Sequence, residues 1–162
     1  MFKLDRLGDH RAACNTCGVL AKRAVPLEAM WRKVCQEAGG RIIRPGLLRE
    51  LNLGTVLPGD NRRLECLVDE LPIHNGAQLG VDCTLVSPLT RRGEPRPRAD
   101  KEDGAALADS RTRKERHYPE LCQGNRCILV VTGMEVGGRW SGEAFHFLSL
   151  LASTKAKEAS RV

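Results

Sequence analysis

The chain has 162 residues, 41% of them hydrophobic and only 4% aromatic, with a formal net charge of +6. That length suits one domain with a real core rather than two, and leaves the core to Leu, Val, Ile and Ala. Apolar runs such as "CILVV" are far too short to span a bilayer. Seven scattered cysteines behind the polar opening "MFKLDRLGDHRAAC" favour thiols of an intracellular, unsecreted protein over a disulfide scaffold.

Residues 1–24 form a polar, Gly-containing segment carrying His10, Cys14 and Cys17. "VPLEAMWRKVCQEAGG" then predicts a helix, with Pro26 in its first turn and Gly39-Gly40 ending it. Leu27, Met30, Trp31, Val34 and Ala38 make its apolar stripe. "RIIRPGLLRELNLG" is broken by Pro45-Gly46 and reads as a strand, a turn and another extended piece. "RRLECLVDELPI" and "AQLGVDCTLVSPL" read as two strands, and Asn75-Gly76 between them is a hairpin signal. The charged, Pro-rich stretch 90–103 is expected to be an exposed loop. "GAALADSRTRKERHY" predicts a helix stopped by Pro119, and "RCILVVTGMEV" a strand closed by Gly137-Gly138. "SGEAFHFLSLLASTKAKEA" predicts a final helix capped by Ser141. The order implies an α/β fold, a mixed central sheet containing a β-hairpin and flanked by helices.

Asp82 interrupts an apolar strand. A carboxylate there costs free energy unless it is paired, bound or protonated. By alternation Val81, Cys83 and Leu85 face one way and Asp82, Thr84 and Val86 the other. Glu65 is embedded in the preceding strand, and a strict two-residue turn at Asn75-Gly76 would instead set Asp69 opposite Asp82. Two neighbouring carboxylates repel unless a cation lies between them, and Mg2+ (or Mn2+) needs only one or two carboxylates plus water and phosphate oxygens. On the next predicted helix, Leu107, Arg111, Lys114 and Tyr118 share one stripe, which carries Lys114 toward the sheet. A lysine beside metal-binding carboxylates can orient a water or stabilise a pentavalent phosphate. Arg111, Arg113 and Arg116 around it could neutralise backbone phosphates. Taken singly, the bland readings are favoured: an edge aspartate, and a solvated basic helix face.

The residues "GDHRAAC", "RRLECLV", "LGVDCTLVSPL", "ALADSRTRKERHYPEL" and "VTGMEVGGRW" together resemble the restriction-like endonuclease domain, of the PD-(D/E)XK superfamily, at the C-terminus of non-LTR retrotransposon polyproteins. The resemblance covers nearly the whole chain. It implies a restriction-endonuclease-like core over 25–162 and a partial zinc-binding-like segment over 1–24. It implies metal-dependent nicking of DNA in the nucleus, alongside the reverse transcriptase portion of a parent polyprotein, with no membrane partner. Glu65 then matches the first acid and Asp82 the second, both metal ligands. Lys114 matches a lysine displaced from the third strand, where Thr84 stands, and Tyr118 the tyrosine that follows it. Glu135 matches a recurring position without a role. His10 and Cys14, with Cys17, match half of a zinc module whose upstream cysteines would precede Met1, so weak Zn2+ binding or none is expected. The first acid departs from the family pattern, being Glu after Leu rather than Asp after Pro. The alternative reading is a catalytically inactive DNA-binding module or a decayed polyprotein fragment. Cys35, Cys66, Cys83, Cys122 and Cys127 are expected in the core.

Overall fold

Helix α1 runs over Val19–Glu37 in the computed structural model, which describes residues 19–43, 46–51, 53–90, 92–123 and 126–160. It begins six residues before the predicted start, so Pro26 lies inside it rather than in its first turn. The preceding Lys22, Arg23 and Ala24 are good helix formers and carry the helix past the one amide that proline removes. Its end is a Schellman arrangement. Gly39, at φ +89°, donates to Gln36 O, and Gly40 donates to Cys35 O at 2.9 Å.

Strands β1 (Arg41–Ile43) and β2 (Gly46–Leu47), a 3-10 turn (Leu48–Leu51), β3 (Arg63–Leu64), β4 (Cys66–Asp69) and β5 (Gln78–Val86) follow. Helices α2 (Ala105–His117) and α3 (Pro119–Gln123), strand β6 (Cys127–Glu135) and helix α4 (Gly142–Ala159) complete the described chain. The main sheet has the order β1-β4-β5-β6, with β5 antiparallel to β4 and parallel to β6. Helices α1 and α4 cover one face and α2 and α3 the other, giving a mixed α/β fold. None of the described helices is long and apolar enough to cross a membrane.

Two sequence-based expectations for this sheet need correcting. The predicted strand over 62–73 is broken at Glu65: β3 pairs with β2 in a separate two-stranded sheet, and only β4 joins the main one. The predicted tight hairpin is instead an eight-residue connection over 70–77. Leu71 and Ile73 are buried in the core beneath α1 and α4, so the chain leaves the ladder there to bury them. It turns back through left-handed Glu70, His74, Asn75 and Gly76. The helix expected to stop at Pro119 does end, at His117, but Pro119 opens α3 rather than a coil, in keeping with proline's tolerance at a first helical position.

Alternation along the paired strands sorts the core. Cys66, Val68, Val81, Cys83 and Val130 meet Trp31, Cys35, Phe147 and Leu151 on the α1/α4 face. The Trp31 ring stacks on Phe147 at 5.6 Å and meets Trp140 edge-on at 5.8 Å. On the other face Leu67, Leu129 and Val131 pack against Tyr118 and Leu121. Ser141 caps α4, its hydroxyl accepting from Ala144 N at 3.1 Å. Among the cysteines expected in the core, Cys35, Cys66, Cys83 and Cys127 are buried, but Cys122 is exposed. In the short α3 it is Leu121 that points inward.

Candidate functional site

Strand β5 is paired with β6 along all nine of its residues, but with β4 only from Leu79 to Val81. Beyond Val81 its β4 side is uncovered, and the candidate residues gather there. The register Cys66↔Val81, carried one step further, sets Glu65 opposite Asp82. The uncovered amide of Cys83 donates to Glu65 Oε2 at 3.2 Å, so the Glu65 side chain, at the interruption between β3 and β4, satisfies a backbone group that β4 no longer reaches.

Asp69, the rival first acid, sits at the far end of β4. The same register places it beside Gln78, whose Nε2 donates to Asp69 Oδ1 at 2.6 Å, while Arg41 Nη2 donates to Oδ2 at 2.8 Å. Gln78 and Asp82 are separated by about 13 Å of strand, which takes Asp69 out of the site.

Asp82 is fully buried, on the face covered by α2. The Lys114 ammonium reaches both of its oxygens at 2.7 Å, and Thr84 Oγ1 donates to Oδ1 at 3.2 Å. Lys114 itself is partly exposed, so the site opens to solvent along the lysine. Tyr118, the C-cap of α2, is buried and donates its hydroxyl to Arg63 O at 2.8 Å. Burial, then the charges of Asp82 and Glu65 and a hydrogen-bonding contact with Asp82, push the Tyr118 hydroxyl well above its usual range. It therefore stays protonated at neutral pH. Burial and the Asp82 charge push the Glu65 carboxyl up to about 7, with Lys114 opposing them. Glu65, Asp82, Lys114 and Tyr118 thus lie within electrostatic reach of one another.

Two neighbouring carboxylates whose repulsion one ammonium only partly offsets are a donor set suited to a hard divalent cation. Glu65 and Asp82 are the residues that would hold it. Among the described residues no group of three or more His, Cys, Asp or Glu forms a protein cage for a metal, so water or phosphate oxygens would complete the shell. The proposed zinc residues His10, Cys14 and Cys17 lie outside the described residues. The buried thiols of Cys35, Cys83 and Cys127 are each pushed up to about 12 by burial, which keeps them uncharged and unsuited as ligands.

The three arginines of α2 differ in their surroundings. Arg111 is held by Glu143 at 2.6 Å and Glu115 at 3.3 Å, beside a cleft of about 380 Å3 between α2, β6 and the start of α4. Glu143 also accepts from Val131 N on the outer edge of β6 at 3.0 Å. Arg113 donates to Ser110 Oγ at 2.7 Å and is otherwise exposed, as is Arg116. Glu135 is buried at the end of β6, 3.9 Å from Arg139 across the turn at Gly137-Gly138. Sequence reasoning passed over Arg62, whose guanidinium joins Asp60 and Glu120; the only local signal was the short Asp60-x-Arg62 spacing.

No family model, curated protein or solved structure matches the chain.

Proposed function

We propose that the chain is a divalent-metal-dependent DNA endonuclease domain with a restriction-endonuclease-like core, of the kind that ends non-LTR retrotransposon polyproteins. The observation that carries this reading is the meeting of Glu65, Asp82 and Lys114, from three separate segments, at the stretch of β5 beyond Val81 that β4 leaves uncovered. The likeness of the sequence stretches that hold these residues supports it.

A bound Mg2+ or Mn2+ would supply Lewis-acid stabilisation of the phosphate and a more acidic water. The chain's own residues do the rest. Asp82 and Glu65 supply the anionic oxygens. Thr84, by donating to Asp82 Oδ1, holds that carboxylate in one orientation. Lys114 carries a positive charge that can pass from Asp82 to the non-bridging oxygens of a phosphodiester as negative charge develops on them. Tyr118, kept protonated, holds the end of α2 against β3 through Arg63 O. The exposed Arg113 and Arg116 are placed to meet the DNA backbone, whereas Arg111 would first have to leave Glu143. In this reading the protein works in the nucleus, with DNA as its partner.

The test is nicking of supercoiled plasmid by the purified chain with Mg2+ or Mn2+. Activity that requires the metal and is lost in Asp82→Asn and Lys114→Ala is expected, while nicking that persists in both variants overturns the assignment. A second reading, a DNA-binding module without catalysis, is favoured by one observation: Lys114 and Thr84 already occupy both Asp82 oxygens. Salt-dependent DNA binding with no metal-dependent cleavage would select it.

A further inference from the structure

Arg62 stands three residues before Glu65, in the segment leading into β3. Its Nη2 donates to Asp60 Oδ2 and Glu120 Oε1, both at 2.6 Å, and its Nε to Asp60 Oδ2 at 2.9 Å. Its Nη1 donates to the carbonyl oxygen of His117, the last residue of α2. The guanidinium is only 27% exposed and Glu120 14%, so the cluster is better shielded than an ordinary surface pair. A second link runs the other way, from the Tyr118 hydroxyl to Arg63 O. Two adjacent residues ahead of Glu65 are therefore tied to the junction of α2 and α3 by reciprocal side-chain-to-carbonyl bonds.

We propose that Arg62 is a positioning residue that sets Lys114 on Asp82, by clamping the last turn of α2 to the segment that delivers Glu65. This rests on the reading of Glu65, Asp82 and Lys114 as one site. The His117 carbonyl lies at a helix C-terminus, where no intrahelical amide remains to bond it. Arg62 supplies that donor and at the same time grips Glu120 beyond the kink. Lys114 lies one turn earlier, its own carbonyl accepting from Tyr118 N at 2.9 Å. Any slip of the last turn along the sheet is therefore passed to the ammonium. A planar, multidentate guanidinium can hold Asp60, Glu120 and the carbonyl together, whereas a lysine offers only a point charge on a flexible stem.

The test reads the Lys114 ammonium directly, by nitrogen-detected NMR of the lysine side chains in the full chain, without metal or DNA. In the wild type, hydrogen bonding to Asp82 should slow proton exchange at Lys114 relative to exposed lysines. Arg62→Ala should speed that exchange at least tenfold, with Arg62→Lys intermediate. Arg41→Ala breaks the pairs to Asp69 and Glu70 at the opposite end of β4 and should lower stability without moving the Lys114 signal. A folded Arg62→Ala protein with unchanged Lys114 exchange would overturn the proposal, as would an equal effect of Arg41→Ala. If Arg62→Ala does not fold, Glu120→Gln removes one arm of the clamp and is read the same way. If the wild type fails to nick DNA, the nuclease reading falls while the ammonium measurement still decides the role of Arg62. Where nicking is seen, Arg62→Ala should lower kcat with little change in KM for DNA.

Discussion

The ammonium of Lys114 lies 2.7 Å from both oxygens of Asp82, joining the last turn of α2 to the centre of β5. The carboxylate is fully buried and the lysine partly exposed, so the two halves of the pair are unequal. Lys114→Ala removes the only cation bonded to Asp82 among the described residues, leaving it neutral hydroxyl partners, and should cost about 3–5 kcal/mol at neutral pH, the usual cost of stranding a buried charge. Asp82→Asn frees a lysine that can turn to water, and should cost less. The double variant Asp82→Asn/Lys114→Ala should cost less than the sum of the single changes. Urea denaturation of the four proteins measures the coupling, and strict additivity would rule it out.

Glu65 makes the stability pH-dependent in a defined direction. Its folded-state value is raised, to about 7 from an ordinary 4.5, by burial first and by Asp82 second. A raised carboxyl contributes stability that is complete below its unfolded value and lost as pH rises through the folded one. The wild type should therefore lose on the order of 2 kcal/mol relative to Glu65→Gln between about pH 4.5 and 7.5. Denaturant midpoints across that range test this, and parallel profiles for the two proteins would refute it.

A cation between the carboxylates should reverse that trend. Mg2+ or Mn2+ needs Glu65 ionised, so the gain in melting temperature should be larger at pH 8 than at pH 5.5. At a metal concentration one hundred times Kd the stabilisation should be about 2.7 kcal/mol. Asp82→Asn should abolish it. A metal-induced shift of the same size in Asp82→Asn would place the ion elsewhere.

Close packing beneath the site is equally testable. A β-carbon at Gly80 would lie 2.6 Å from Leu64 Cδ1 and 3.3 Å from Leu121 Cδ1. Leu64 immediately precedes Glu65, so Gly80→Ala must displace the segment that carries Glu65 or force Leu64 off its rotamer. The expected cost is about 1–3 kcal/mol. A melting temperature equal to the wild type would show that Leu64 can move freely.

Several features were readable in the sequence because their causes are local. The alternation from Leu79 to Val86 put Asp82 and Thr84 on one face whatever the neighbours were. The spacing of Leu107, Lys114 and Tyr118 turned the lysine toward the sheet. Gly39-Gly40 and Ser141 marked helix ends through backbone conformation and a single side-chain bond. The extended start of α1 before Pro26 was not readable, since one proline carries no information on how far helix-forming residues continue ahead of it.

What the tertiary structure alone decided was how segments meet. The sequence offered Glu65 as the partner of Asp82 and Asp69 as its rival under a strict two-residue turn at Asn75-Gly76; burial of Leu71 and Ile73 lengthens the connection, and the register sets Glu65 there. The break of the strand at Glu65 likewise depends on its bond to Cys83, 18 positions away, and the grip of Arg62 on the α2–α3 junction on contacts between residues 55 positions apart. Local pattern determined which face each candidate side chain takes, because alternation and helical spacing are properties of a few consecutive residues. Register and proximity are set by the packing of the whole core, and that sum decided which acid stands beside Asp82.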